Sequence, residues 1–267
     1  MGRQLKSLMF VPCTREKIQK VESLKADVII FDLEDSIRTK KKKEALSCLL
    51  EYLKDKEKDR FAVRVNAEDM NVEIQSLYQS GIRTFMIPKA ENKREIEKCT
   101  EMYDAIRLIL LIETPLGILN LRDLCAVKNI SAIAFGAEDY CSYIGMKNDQ
   151  RGLEPIKTQI VCIAKAYGHD VYDTITVEYK DENVIKKAIQ DSKDLGFDGK
   201  LYIHPKQLEV AEKMNADLLE RYDEWKDIIQ TFDNSNEGVL TYKGKLYEKP
   251  HIEYMRRQLY EKKNKQK

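Results

Sequence analysis

The sequence predicts an α/β fold: a (β/α)8 TIM barrel over residues 1–205, followed by a C-terminal helical and hairpin arm over 206–267. Three observations carry this. Eight short apolar runs alternate with longer amphipathic segments up to residue 205, the pattern of repeated β/α units. The chain has 267 residues, a length at which α/β barrels commonly form one domain. No Gly-x-Gly-x-x-Gly follows any of the runs, which weighs against a doubly wound sheet.

Residues 7–11 form the first expected strand, closed by Pro12, with a helix over 15–24. The second strand, 28–31, runs into Asp32-Leu33-Glu34-Asp35. A charged helix over 41–53 turns Ala45, Leu46, Leu49, Leu50 and Leu53 inward. The third strand, 61–65, carries Arg64 and ends at Asn66, and the helix after it, 72–80, closes on Gly81. The fourth, 84–87, ends in Pro88-Lys89 and leads to a helix over 94–102. The fifth begins as an unbroken apolar run from Leu108 to Ile112, which a strand buried on both faces tolerates and a surface strand does not. It stops on Glu113-Thr114-Pro115, where Glu113 is either a ligand-facing acid or a cap, and Pro115 and Gly117 shape the loop beyond. A helix over 119–127, a sixth strand over 132–135 ending in Gly136-Ala137-Glu138-Asp139, and a helix over 158–167 capped by Gly168 follow. A seventh strand over 170–175, a helix over 183–195 and an eighth strand over 200–203 complete the barrel. The arm comprises helices over 206–214 and 217–232, a hairpin turning at Lys243-Gly244, and a last helix over 252–260. It is too long for a closing helix and reads as a lid or an exchanged arm.

Lys+Arg 46 against Asp+Glu 45 leaves a net charge of +1, so nothing global points to nucleic acid or a membrane surface. No run approaches membrane-spanning length and no signal peptide is evident, which makes the cytoplasm the default location. Six cysteines without a CxxC pair argue against structural zinc.

In a barrel the strand ends converge on one rim. Asp32 and Asp35, Arg64 and Asn66, Lys89, Glu113, and Glu138 with Asp139 all fall there. Acids sharing one mouth repel unless a cation neutralises them, and carboxylates without His or Cys favour Mg2+, with Mn2+ also admissible, over Zn2+. Arg64 suits bidentate contact with a carboxylate and stabilisation of an enolate oxygen; pairing with a neighbouring acid is the alternative. Lys89 is the competing candidate, as a Schiff-base lysine. His204, before a proline at a strand end, is a candidate to orient backbone or substrate, although a lone histidine such as His204 or His169 is more often a satisfied structural group.

At these residues the chain resembles the HpcH/HpaI aldolase and citrate lyase beta-subunit-like family, which includes citramalyl-CoA and malyl-CoA lyases. The matches run in family order: Leu8-Met9-Phe10-Val11-Pro12, Phe31-Asp32-Leu33-Glu34-Asp35-Ser36, Val63-Arg64-Val65-Asn66, Ile87-Pro88-Lys89, Ile112-Glu113-Thr114-Pro115-Leu116-Gly117, Phe135-Gly136-Ala137-Glu138-Asp139, and Gly199-Lys200 with Ile203-His204-Pro205. The resemblance implies Mg2+ held by Glu113 and Asp139, and substrate contacts from Arg64, Glu113, Gly136 and Ala137. Asp32 and Asp35 become supporting acids that bind metal-bound water or fix Arg64. Arg15 and Lys17 are the implied contacts of the coenzyme A nucleotide, and the implied assembly is a homotrimer or hexamer whose arm covers a neighbour's site. Two departures stand out: Cys13 occupies a position where members usually have glycine, and Glu248 stands where the arm of CoA lyases carries a catalytic Asp.

The resulting expectation is a Mg2+-dependent carbon–carbon lyase cleaving a β-hydroxyacyl thioester such as citramalyl-, malyl- or citryl-CoA into a keto acid and an acyl thioester. The alternatives are a class II pyruvate aldolase acting on free hydroxy-keto acids, and a beta-like subunit of a multi-component citrate lyase served by an acyl-carrier partner.

Overall fold

The computed structural model describes residues 5–235 and 237–265. They fall into two compact units, 5–211 and, from 212 on, the described residues up to 265. Residues 1–4, 236 and 266–267 of the two expected segments lie outside the described residues.

The first unit is a closed barrel of eight parallel strands: β1 (Lys6–Pro12), β2 (Val28–Asp32), β3 (Phe61–Arg64), β4 (Thr84–Ile87), β5 (Arg107–Ile112), β6 (Ile130–Phe135), β7 (Asp170–Asp173) and β8 (Gly199–Tyr202). Each pairs with the next, and β8 closes on β1 in the register Lys6↔Gly199 to Met9↔Tyr202. The eight-stranded expectation holds because every predicted run supplies one strand.

Alternation along each strand decides what lies inside. Leu8, Ile30, Ala62, Met86, Ile109, Leu111, Ala132, Ala134, Tyr172 and Leu201 pack together as one buried cluster, with Phe10 and Ile175 against it. Side chains of a strand change face with every residue, so the same stripe continues two residues on. Those positions are Asp32 after Ile30, Arg64 after Ala62, Glu113 after Leu111, Gly136 after Ala134, Thr174 after Tyr172 and Ile203 after Leu201. All six line one cavity at the C-terminal end of the barrel. The polar rim is therefore the top of the hydrophobic interior.

The helices depart from expectation in instructive ways. The helix expected over 15–24 is only α1 (Arg15–Ile18) followed by a 3-10 turn at Val21–Ser23. The charged helix is α2 (Lys42–Leu53), and α3 (Met70–Gln79) and α4 (Lys93–Met102) lie where periodicity placed them. Pro115 opens a helix rather than a loop: Thr114 Oγ1 accepts from the Gly117 amide at 3.1 Å, which caps α5 (Pro115–Leu119). Asn120 leaves helical geometry and donates to the Glu91 carbonyl, so α6 (Leu121–Cys125) is separate from α5. Helix α7 (Ala137–Ile144) was not expected at all; Gly145 ends it in the left-handed conformation. Helix α8 (Gln150–Ala166) starts well before the expected 158, because the Asp149 side chain caps it and Pro155 sits inside its second turn. Helix α9 (Glu182–Asp194) follows β7.

Helix α10 (Pro205–Asn234) is continuous where two helices were expected, and no glycine or internal proline interrupts that segment. Its start is tied to the barrel unit by Gln207, which donates to the carbonyls of Thr176 and Glu178. The barrel unit accordingly extends past the expected boundary at 205. In the second unit, strands β9 (Val239–Tyr242) and β10 (Lys245–Glu248) form the hairpin and α11 (Lys249–Lys265) follows. Its core gathers Tyr222, Trp225, Ile228, Ile252 and Met255, joined by Leu240, Tyr242 and Tyr247 from the inner face of the hairpin. Among the described residues no helix is long and apolar enough to cross a membrane.

Candidate functional site

The cavity at the barrel mouth has a volume of about 360 Å³ and is lined by Phe10, Pro12, Asp32, Asp35, Arg64, Glu113, Gly136, Ala137, Asp139 and Thr174, among others. It unites the residues singled out on β2, β3, β5 and β6. Asn66 points elsewhere, receiving Lys42 and bonding to buried Glu73.

Arg64 organises one side. Its Nε and Nη2 each meet a carboxylate oxygen of Asp32 at 2.8 Å, a bidentate fork, and Nη1 donates to Asp35 at 3.1 Å. Nη1 also lies 3.2 Å from Glu34 Oε2, an ion pair without hydrogen-bond geometry, so that buried oxygen has no hydrogen-bond partner. Burial opposes ionisation of Asp32, yet the Arg64 guanidinium outweighs it and holds the carboxyl below its ordinary range. Asp32 and Asp35 thus both hydrogen-bond to Arg64. The guanidinium is stacked on Phe10, 5.0 Å from the ring centroid.

Glu113 has a different environment. It is 2% exposed and accepts the Lys89 amide at 2.8 Å. That amide is available because Lys89 adopts φ 48°, in the left-handed region. Burial, then Glu34 and Asp139, push Glu113 up to about 8. Burial, with Asp35 and Asp32, likewise pushes Glu34 up to about 7, against the pull of Arg64 and Lys89. The acids of the rim therefore divide: Arg64 answers Asp32 and Asp35, whereas buried Glu113 faces the charge of Glu34 and Asp139. Gly136 makes this packing possible, since a Cβ there would lie 2.7 Å from both Cβ and Oε2 of Glu113.

Among the described residues no three His, Cys, Asp or Glu side chains converge as a metal cluster. Mg2+ does not require one, because it is bound through one or two carboxylates and keeps its remaining positions for water and substrate oxygens. Two carboxylates lining a cavity, with Glu113 pushed up by burial and by the charge of Glu34 and Asp139, fit such an ion. The orphaned Glu34 oxygen also fits a coordinated water that donates to it.

The remaining candidates lie elsewhere. Lys89 is absent from the cavity lining and sits 3.5 Å from Glu34. Glu34, Glu113, Asp35 and Asp139 outweigh its desolvation and raise its pKa, the opposite of what a Schiff-base lysine needs. His204 stacks on Tyr179 and accepts the Lys206 amide at Nδ1, and His169 Nε2 bonds to the Cys125 carbonyl. A second cavity of about 500 Å³ adjoins the first through Ser36 and is lined by Cys13, Arg15, Arg38 and Lys41. Arg15 is thus beside the site, while Lys17 is exposed on α1 and lines neither cavity. Arg38 and Lys41 belong to a basic stretch that precedes the helix after β2, and nothing in its spacing marks it as cavity-lining. Glu248 ends β10 in the second unit, not on the barrel.

The HpcH/HpaI aldolase/citrate lyase family model matches residues 6–205, the entire barrel. The chain belongs to this family. It is 27% identical over 258 residues to a (3S)-malyl-CoA thioesterase of Cereibacter sphaeroides, covering 92% of this chain and 90% of the relative. It is 26% identical over 277 residues to the mitochondrial citramalyl-CoA lyase of Homo sapiens, covering 92% and 82%. A structure of the citrate lyase beta subunit of M. tuberculosis with oxaloacetate and magnesium superimposes with a TM-score of 0.71 at 25% identity, covering 79% of this chain and 96% of that one.

Proposed function

We propose that the protein is a Mg2+-dependent carbon–carbon lyase that cleaves a β-hydroxyacyl-CoA thioester into a keto acid and an acyl thioester. The observation that carries this reading is the single stripe that brings Arg64, Glu113 and Gly136 to one cavity, with Asp139 beside them. The human relative is a citramalyl-CoA lyase, and the structural relative binds magnesium and a keto acid.

Glu113 and Asp139 would hold the ion, which supplies Lewis-acid polarisation of the oxygens on the cleaved portion of the substrate. Arg64 has five N–H donors and spends three on Asp32 and Asp35, so it retains donors for the substrate's carboxylate. Asp32 keeps the fork in register, which a flexible cation could not provide. Phe10, Leu111 and Leu201 form the apolar floor that excludes water from the cleaved bond. Gly136 and Ala137 line the wall beside Glu113 and offer close backbone approach to the substrate.

The proton chemistry requires a base for the β-hydroxyl. Glu248 takes this role when the arm of a neighbouring subunit in a trimer or hexamer reaches the barrel mouth. Val239, Leu246 and Glu248 share the outward face of the hairpin, so the carboxylate is presented with apolar neighbours able to dock. Removal of the hydroxyl proton breaks the adjacent carbon–carbon bond, releasing the keto acid and leaving the thioester enolate, which is reprotonated at carbon. Arg15, Arg38 and Lys41 in the adjoining cavity suit the phosphates of CoA.

The test is cleavage of citramalyl-CoA and malyl-CoA by the purified protein, with Mg2+ or with chelator, followed by keto-acid release. Glu113→Gln and Asp139→Asn are each expected to lower kcat by on the order of 10²–10³-fold, the loss of several kcal/mol of charge stabilisation, while the fold persists. Retained metal-dependent cleavage in both variants would overturn the assignment. Cleavage of free hydroxy-keto acids with no turnover of the thioesters would favour an aldolase instead.

A further inference from the structure

Between the barrel and its outer helices lies a buried ionic cluster that the proposed chemistry does not use. Asp173, the last residue of β7, and Lys200, the second of β8, are register partners, with side chains on the outer face of the barrel, opposite to Tyr172 and Leu201. Both are at most 2% exposed. Lys157 of α8 lies 2.9 Å from Asp173, Lys200 lies 3.7 Å from it, and Ser192 of α9 donates to it at 2.6 Å. One carboxylate thus serves two buried ammonium groups. Burial of an incompletely neutralised charge lowers stability, and an apolar side chain in place of Lys200 would avoid that cost.

What Lys200 does with its charge is specific. Its Nζ donates to the Thr174 carbonyl at 2.7 Å, its shortest contact. Backbone pairing between β7 and β8 ends at Asp173↔Lys200, so the lysine side chain continues the seam one residue beyond the ladder. The seam between β6 and β7 is extended the same way. Its last backbone pair is Ala134↔Tyr172, and beyond it Thr174 Oγ1 accepts the Ala137 amide at 3.1 Å. The Thr174 amide in turn donates to Asp173 Oδ1 at 2.8 Å. Every polar group of Thr174 is therefore held, and its hydroxyl holds the first residue of α7. Asp139 lies two residues further along that helix.

We infer that Lys200 and Thr174 are positioning residues: through the Ala137 amide they set the first turn of α7, and with it the carboxylate of Asp139, for a divalent cation. The inference rests on the reading of Asp139 as a metal ligand. Supporting contacts behind a ligand are commonly worth about 10–100-fold in metal affinity.

The test is Mn2+ binding to the full chain, followed by electron paramagnetic resonance with Mg2+ as competitor, and thermal melting measured alongside. Thr174→Val keeps the shape and removes the acceptor; its Mn2+ dissociation constant is expected to rise about 10-fold or more, and Thr174→Ser to restore it. Lys200→Met is expected to weaken binding similarly, with the double variant no worse than the weaker single, because the two act through one contact. The Thr174 pair decides the outcome even where Lys200→Met does not fold. A folded Thr174→Val protein binding within about twofold of the parent overturns the inference, as does failure of Thr174→Ser to restore binding. If the parent binds Mn2+ and Asp139→Asn does not weaken it, the reading of Asp139 as a ligand falls as well. Loss in Asp139→Asn with none in Thr174→Val removes this inference alone.

Discussion

Glu113 owes its chemistry to where its neighbours leave it. It is buried, faces Glu34 and Asp139, and has one backbone amide as its partner, so without a cation its carboxyl is pushed up to about 8. An acid that is harder to ionise in the folded chain than in the unfolded one adds stability at low pH. That stability is fully present below about 4.5 and is lost as pH rises through about 8. Glu34, pushed up to about 7, acts in the same direction. The metal-free protein is therefore expected to melt at progressively lower temperature from pH 5.5 to 8.5, while added Mg2+ raises the melting temperature more at the upper end. Differential scanning fluorimetry with chelator and with Mg2+ checks this, and Glu113→Gln should flatten both trends. A pH-independent Mg2+ effect would contradict it. Gly136 gives a second prediction at this scale. Gly136→Ala places a methyl 2.7 Å from Glu113, and overpacking of this kind costs about 1–3 kcal/mol. Its effect should appear as weakened Mg2+ binding by calorimetry, because one of the atoms displaced is Oε2 of Glu113, a proposed ligand of the ion.

At the scale of elements, the strands were legible and several helices were not. Apolar runs bounded by Pro, Asp or Gly identify β1 to β8 because a barrel strand is buried on both faces, and runs this short between amphipathic segments suit strands better than helices. Helix α7 escaped notice because its first turn carries Glu138 and Asp139, residues read as a strand-end cluster; their place at a helix N-terminus is electrostatically natural. Helix α8 escaped in part because Pro155 looks like a boundary, although a cap at Asp149 starts the helix upstream. The hairpin was visible from Lys243-Gly244, both with positive φ, as a tight turn requires. Its proposed role is testable by mixing. Glu248→Gln should lower kcat by about 10²–10⁴-fold, the usual worth of a general base. Co-assembly with inactive Glu113→Gln chains should then recover a measurable fraction, since some sites combine an intact barrel with an intact arm. No recovery from a verified mixed oligomer would rule out exchange between subunits.

At the scale of the whole molecule, the sequence by itself determined the barrel and the company of residues at its mouth. Strand periodicity and the rule that parallel strands present their C-terminal ends together are local or topological facts, so Asp32, Arg64, Glu113 and Asp139 could be assembled on paper. Tertiary structure decided how their charges are divided. Which acids Arg64 neutralises, why Lys89 remains protonated, and that Glu34 keeps a buried oxygen without a hydrogen-bond partner follow from distances and burial that no spacing encodes. The same holds for Lys200 and Thr174. In the sequence they are a lysine in a strand and a threonine after one; only the closed barrel brings β6, β7 and β8 side by side, so that a lysine ammonium and a threonine hydroxyl can extend their seams. Pattern specifies which residues meet, because the backbone repeats. Charge and hydrogen bonding are settled by three-dimensional neighbours, because electrostatic energy depends on distance and desolvation rather than on order along the chain.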